Sequence, residues 1–77
     1  MPRFQLQPNG FHNINVTITR LSVENNNSQA VSVEVRYDKT SITKVVGGGI
    51  TKQLIFNQTE PPIVVVNHSQ ETLVVIY

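Results

Sequence analysis

Residues 30–37 read AVSVEVRY and give the clearest signal of secondary structure in the chain. Apolar residues occupy every second position, at Val31, Val33, Val35 and Tyr37, and the residues between them are polar. Because successive side chains of a β-strand point to opposite faces, this alternation predicts a strand with one face in a core and the other in solvent.

The composition extends this prediction to the whole chain. The 77 residues include twelve Val, seven Ile and seven Thr, but only one Ala and one Met. β-Branched side chains lose rotamer freedom in a helix and pack well on a pleated sheet. No segment has the apolar spacing of an amphipathic helix, so we predict an all-β fold, and the length allows one domain.

Turn-forming residues divide the chain into about seven short antiparallel strands. The predicted strands cover residues 3–7, 11–24, 30–37, 42–46, 50–56, 63–66 and 72–77. Such close turn spacing is typical of a small β-sandwich or a jelly-roll-like barrel. Within residues 11–24 the apolar positions change parity near Thr19 and Arg20, which predicts a bulge or bend where the strand passes between two sheets.

Two of the connections are predicted to be hairpin tips. One is the run Gly47–Gly49, and the other is the NHSQE stretch at residues 67–71. A second interpretation of the glycine run is that it allows a neighbouring backbone to approach closely.

Two stretches of the chain are similar to each other. Residues 23–35 read VENNNSQAVSVEV and residues 64–76 read VVVNHSQETLVVI, and an offset of 41 residues aligns their Ser-Gln pairs. Both are typical of a strand, an Asn-rich turn and a second strand. Either two independent hairpins use similar turn chemistry, or the chain contains a duplicated half-sandwich.

No combination of residues indicates catalysis. The acidic residues lie in predicted turns or at outward positions, and the two histidines, His12 and His68, lack the spacing of a metal site or a catalytic triad. The glycine run precedes a predicted strand, whereas a phosphate-binding loop precedes a helix. The chain has no Cys. We therefore expect no enzyme activity, no cofactor and no metal.

Charge and hydropathy exclude two further classes of partner. The net charge is +1 and 14% of residues are charged, which is too neutral for electrostatic binding to nucleic acid or to a membrane surface. Apolar runs such as residues 63–66 are far shorter than the ~20 residues that cross a bilayer. The N-terminus also lacks the apolar segment of a signal peptide, so we expect synthesis without one.

The C-terminal run is apolar on both faces. Residues 72–77 include Val74, Ile76 and Tyr77, and a strand of this kind is usually buried on both sides. It is either a central strand of the sandwich or an edge or face that another copy of the chain completes.

The N-terminal residues suggest how such copies would be joined. Residues 1–10 are predicted to form a short arm, and residues 11–77 a single sandwich domain. Phe4 and Leu6 would fill pockets on a neighbour, and the segment Pro8, Asn9 and Gly10 would be the linker. Head-to-tail exchange of this kind links each subunit to the next rather than joining two subunits reciprocally, so it produces rings or filaments.

The short arm, the single jelly-roll-like domain rich in Val, Thr and Asn, and the lack of a signal peptide resemble subunits of the endospore appendages (spore pili) of bacilli. In that family an N-terminal connector of one subunit docks on the next and builds a fibre on the spore. The resemblance implies a location at the spore or cell surface and an anchoring or tip protein as a further partner. The better-known subunits cross-link through connector cysteines, which this chain lacks, so its assembly would be non-covalent.

The sequence therefore favours a structural, self-assembling subunit of a fibre or surface layer, linked to copies of itself by N-terminal strand complementation. The predicted interface residues are Phe4, Leu6, Pro8, Asn9, Gly10, Val74, Ile76 and Tyr77. A small binding module, such as a virion or tail-fibre domain or a carbohydrate-binding domain, is the alternative.

Overall fold

The computed structural model describes residues 3–77, which form eight antiparallel β-strands. The strands are β1 (Arg3–Leu6), β2 (Phe11–Ile14), β3 (Ile18–Asn25), β4 (Val31–Tyr37), β5 (Thr40–Val46), β6 (Ile50–Thr59), β7 (Ile63–Asn67) and β8 (Leu73–Ile76). These residues contain no helix, and therefore none that is long and apolar enough to cross a membrane. Met1 and Pro2, which belong to the predicted arm, lie outside the described residues.

The strands form two sheets of four, in the orders β1-β8-β3-β6 and β2-β7-β4-β5. Within these sheets β1 pairs with β8, β2 with β7, β3 with β6 and β4 with β5. The chain is thus one long hairpin with its tip between β4 and β5, rolled into a sandwich. This strand order is that of a jelly roll. The prediction of an all-β, jelly-roll-like sandwich is confirmed, with eight strands where the sequence indicated about seven.

The extra strand arises from the predicted bend. Residues 11–24 were predicted as one strand, but β2 and β3 lie in different sheets and residues 15–17 join them. The pairing of β3 with β6 also shifts register between Ile18 and Arg20. A bulge near Thr19 and a corner between two sheets are therefore both present, and the corner divides the segment in two.

The two predicted hairpin tips are wrong. β5 and β6 flank Gly47–Gly49, and β7 and β8 flank residues 68–72, yet each pair is divided between the two sheets. Both connections are therefore crossovers. Alternating hydrophobicity defines which face of a strand is buried, but it does not identify the strand's neighbour.

The close-approach interpretation of the glycine run holds at Gly48. A Cβ atom placed there would lie 2.6 Å from the backbone oxygen of Ser28. The crossover from β5 to β6 thus packs directly on the crossover from β3 to β4, which leaves no room for a side chain.

The core lies between the two sheets and consists of inward-facing aliphatic side chains. Every second residue of β7 and β8 is buried, and so is every second residue of β4 from Val31 to Val35, as alternation predicts. Tyr37 and Phe56 close one end of the core, with their rings 5.3 Å apart in an edge-to-face arrangement. In the described part of the chain, every buried side-chain polar atom has a hydrogen-bond partner.

The two halves of the sandwich are related by an internal twofold repeat. If four is added to each strand number, with the count continuing from β8 to β1, then β1 becomes β5 and β3 becomes β7. Each pair of neighbouring strands in one sheet then becomes a pair of neighbouring strands in the other. Buried residues correspond at an offset of 42, so that Val23 matches Val65 and Asn25 matches Asn67. The offset of 41 inferred from the Ser-Gln pairs is wrong, because an odd offset would exchange inward and outward faces. The repeated half-sandwich accounts for the similar stretches better than two independent hairpins do.

Candidate interface at the N-terminal strand

β1, the predicted arm, is an edge strand of its own sandwich. It pairs antiparallel with β8, which places Leu6 opposite Leu73 and Phe4 opposite Val75. Leu6 is 1% exposed and belongs to the core, whereas Phe4 is 38% exposed. Residues 3–6 are therefore integrated in the domain, so the described part of the arm pairs with its own chain here.

Phe4, His12 and Tyr77 form an aromatic cluster where β1 and β2 border the core. The Phe4 ring stacks on Tyr77 with centroids 5.5 Å apart and lies 4.1 Å from the ring of His12. His12 Nε2 and the Tyr77 hydroxyl share a hydrogen bond of 3.1 Å. Partial burial raises the pKa of Tyr77. The C-terminal residue is thus covered within the subunit by the N-terminal strand.

Pro8, Asn9 and Gly10 form the turn that carries the chain from one sheet to the other. The Gly10 N–H donates to the carbonyl of Gln7 at 2.9 Å, and the Asn9 N–H donates to the carbonyl of Ser69 at 3.0 Å. Asn9 has a φ of 56°, a left-handed conformation that Asn tolerates better than most residues do. The predicted linker is therefore a tight turn held against the crossover from β7 to β8.

Asn67 fixes the end of β1. Its fully buried side chain donates from Nδ2 to the carbonyls of Leu6 (3.2 Å), Gln7 (3.1 Å) and Glu71 (2.6 Å). Its Oδ1 accepts from the N–H and the hydroxyl of Ser69 at 3.0 and 2.6 Å. Sequence reasoning assigned Asn67 only to a turn. Asn67 lies two residues after the inward-facing Val65, so it is on the same face of the strand. This spacing was the available signal that Asn67 is a buried polar group.

Asn25 makes the equivalent contacts in the other half of the sandwich. Its Nδ2 donates to the carbonyls of Gln29 (2.8 Å), Val46 (3.1 Å) and Gly47 (3.2 Å). Its Oδ1 accepts from the N–H of Asn27 at 3.1 Å. Asn25 therefore holds the end of β5 as Asn67 holds the end of β1.

β8 is a central strand, as one of the two interpretations of the C-terminal run predicted. It lies between β1 and β3, and Val74 and Ile76 are half-buried on its outer face. Arg3 on β1 forms a bidentate ion pair with Glu24 on β3, with N–O distances of 2.9 and 3.0 Å. The ion pair therefore crosses the outer face of β8, and the hydrogen bond from Arg3 lowers the pKa of Glu24.

The outer face of the second sheet has a charged cluster and an exposed aromatic ring. Glu34 accepts from Arg36 at 2.9 Å and lies 2.7 Å from His68 Nε2. These hydrogen bonds lower the pKa of Glu34 to about 2. Phe11, which follows the turn directly, is 64% exposed and pairs with Val66. Phe11 is not among the predicted interface residues, although its position three residues before the inward-facing Ile14 predicts that it points outward.

A groove of about 580 Å³ opens at the end of the sandwich away from the two Asn-held crossovers. Tyr37 and Phe56 lie at its base, and the segment 57–62 forms one wall. Three non-glycine residues bordering this end have left-handed backbones: Asp38 (φ 46°), Lys39 (φ 59°) and Gln58 (φ 44°). No sequence signal indicated this groove.

Among residues 3–77 no group of three or more His, Asp or Glu side chains is arranged to hold a metal ion. Comparisons with models of known protein families, with curated proteins and with solved structures found no match to this chain.

Proposed function

We propose that this protein is a structural subunit that assembles non-covalently with copies of itself by exchanging β1. One observation carries the proposal: the side-chain and strand partners of β1 all lie beyond the turn, in residues 11–77. They comprise β8, Glu24, Asn67 and the aromatic pair His12 and Tyr77. A β1 strand from another copy can therefore make every one of these contacts.

Such an exchange changes the conformation of the turn alone. The β1–β8 pairing, the burial of Leu6 and the hydrogen bonds from Asn67 are the same whether β1 comes from its own chain or from a neighbour. Opening the turn breaks the hydrogen bonds made by the N–H groups of Asn9 and Gly10, and it releases Asn9 from a left-handed conformation. Exchange of identical elements is a low-cost route to assembly for this reason.

The length of the turn limits the geometry of the assembly. Residues 7–10, fully extended, span about 13 Å. Two subunits joined in this way must therefore lie in direct contact near the turn. Phe11 is the exposed apolar side chain at that junction, so a neighbour that receives β1 would cover it. In the proposed assembly each subunit donates its strand to one copy and accepts a strand from a different copy, so the contacts continue head to tail.

Variants of turn length test the proposal. Deletion of Asn9 and Gly10 leaves too little chain for β1 to reach its own β8 and should increase assembly, whereas insertion of Gly-Ser-Gly-Ser after Gly10 should favour the closed monomer. The same insertion between Gly48 and Gly49 is the matched control, because β5 is joined to other described strands at both of its ends and cannot be exchanged by opening one connection. The molar mass is measured by light scattering from low to high micromolar concentration.

The expected result is that the native chain forms oligomers, that the deletion shifts the mass upward, and that the insertion at Gly10 shifts it downward while the control insertion does not. A native chain that stays monomeric at high micromolar concentration, together with a monomeric deletion variant, contradicts the proposal.

A further inference from the structure

We propose that the groove at the end of the sandwich binds a neutral, polyhydroxylated ligand, such as one or two residues of a saccharide. This inference concerns a different end of the molecule from β1 and is independent of strand exchange. The turn between β4 and β5, the end of β6 and the connection to β7 surround the groove.

The size and lining of the groove fit a ligand of this class. Its volume of about 580 Å³ lies within the range of small-molecule sites. The lining combines an aromatic base, Tyr37 with Phe56, with two amide side chains, Asn57 and Gln58. Two carboxylates, Asp38 and Glu60, and Thr59 are the other polar residues of the lining, and Ile55, Pro61 and Pro62 are the other apolar ones.

The chemistry of these side chains matches hydroxyl groups. Amides both donate and accept hydrogen bonds, carboxylates accept them, and a hydroxyl can do either. The ring of Tyr37, which is half-buried, offers an apolar surface with a polar tip for the C–H face of a sugar. Among the described residues that line the groove there is no Lys or Arg, so an anionic ligand has no cationic partner there.

A cationic ligand fits less well than a neutral one. Recognition of an ammonium group by aromatic rings requires accessible ring faces. Phe56 is only 9% exposed and packs edge-to-face with Tyr37, so the two rings do not form a cage.

The backbone supplies an independent observation. Gln58 lines the groove and holds a left-handed conformation that a glycine would adopt without strain. Strained residues of this kind cluster at ligand sites, where the side chain is needed despite its backbone cost. The left-handed Asp38 and Lys39 are different, because they are the two central residues of the β4–β5 hairpin and a two-residue hairpin turn itself requires this conformation.

The test is an NMR titration of the ¹⁵N-labelled native chain. The neutral probes are glucose, galactose, mannose, N-acetylglucosamine, maltose and cellobiose, and choline chloride and sodium phosphate are the charged probes. We expect at least one neutral probe to shift the amide signals of Tyr37, Asn57 and Gln58 saturably. The inference is overturned if none of the neutral probes does so, or if choline or phosphate alone shifts these signals.

A matched pair of variants separates binding from folding. Gln58→Gly removes the amide side chain and relieves the left-handed backbone, so it should raise the melting temperature and weaken binding about tenfold or more. Asn9→Gly, at the other end of the sandwich, relieves the same kind of backbone and should leave binding unchanged. Equal affinity of the native and Gln58→Gly chains would contradict the role assigned to Gln58.

Discussion

Asn25 and Asn67 occupy the same place in the two halves of the sandwich. Each side chain is fully buried, and each donates from Nδ2 to the carbonyl of the last residue of an edge strand, to the carbonyl of the next residue, and to a carbonyl four residues ahead in its own crossover. The buried amides thus connect the edge strands β5 and β1 to the crossovers that pass between the sheets.

Loss of either buried amide should destabilise the fold by a similar amount. Asn25→Ala and Asn67→Ala each leave buried carbonyls without donors, which we expect to cost about 2 kcal/mol or more of unfolding free energy. Asn13→Ala, at an exposed site on β2, is the control and should change stability by less than about 0.5 kcal/mol. Urea denaturation measures all three. A neutral effect at Asn67 would contradict its role in holding β1.

The two variants should differ in one respect. Asn67 holds a strand that is joined to the rest of the described chain at one end only, whereas Asn25 holds a strand that is joined to it at both ends. Asn67→Ala should therefore accelerate hydrogen exchange of the β1–β8 amides more than Asn25→Ala accelerates exchange in β4–β5.

Gly48 and Gly47 should respond differently to the same substitution. A Cβ atom at Gly48 would lie 2.6 Å from a backbone oxygen, whereas one at Gly47 would lie 2.9 Å from the terminal Cδ1 of Ile50, which can rotate away. We expect Gly48→Ala to lose about 1–3 kcal/mol of stability and Gly47→Ala to lose much less. Thermal melting of both variants is the measurement, and equal losses would contradict the close packing of the two crossovers.

The cluster around Glu34 should make stability depend on pH in the acidic range. Hydrogen bonds from Arg36 and His68 lower the pKa of Glu34 from 4.5 to about 2. A carboxylate with a lowered folded-state pKa contributes stability that is fully present above its unfolded pKa and is lost as pH falls through the folded one. The melting-temperature difference between the native chain and Glu34→Gln should therefore shrink between about pH 5 and about pH 2. A difference that is constant over this range would contradict the assignment.

Leu6 should be the main anchor of β1. Leu6→Ala removes a fully buried side chain and is expected to cost about 2–4 kcal/mol, whereas Phe4→Ala should cost less because Phe4 is partly exposed. Denaturation midpoints compare the stabilities of the two variants. A larger loss of stability in Phe4→Ala than in Leu6→Ala would contradict the conclusion that the more deeply buried Leu6 is the main anchor.

The sequence was sufficient for the fold class because alternation in β4 and the excess of β-branched residues each predict strands independently. It was not sufficient for connectivity: Gly47–Gly49 and residues 67–71 are compatible with a hairpin or a crossover, and only the packing of the two sheets decides between them. The Ser-Gln pairs suggested that the two similar stretches are offset by 41 residues, although the positions of the buried residues in the two halves require an offset of 42.

The candidate site was predictable in part. Leu6 and Phe4 were identified from their alternation, and Pro8 to Gly10 from turn chemistry. Asn67 and Asn25 bind edge-strand carbonyl groups that lie more than 20 residues away in the chain. A local sequence pattern cannot predict contacts between residues so far apart. The end groove likewise arises from two segments that are separate in sequence, residues 37–38 and 55–62.

The most direct measurement of strand exchange is a disulfide trap. Gln5 and Val74 are register partners on the outer faces of β1 and β8, and facing Cα atoms in such pairs lie about 4.5–5.5 Å apart, within disulfide range. Because the native chain has no Cys, Gln5→Cys with Val74→Cys introduces one defined bond. Ser22→Cys with Gln53→Cys, facing partners on β3 and β6, is the control that can close only within one chain. After mild oxidation and non-reducing electrophoresis, exchange predicts a ladder of covalently linked subunits from the β1–β8 pair and a monomer from the control. A cross-linked monomer from both would contradict strand exchange.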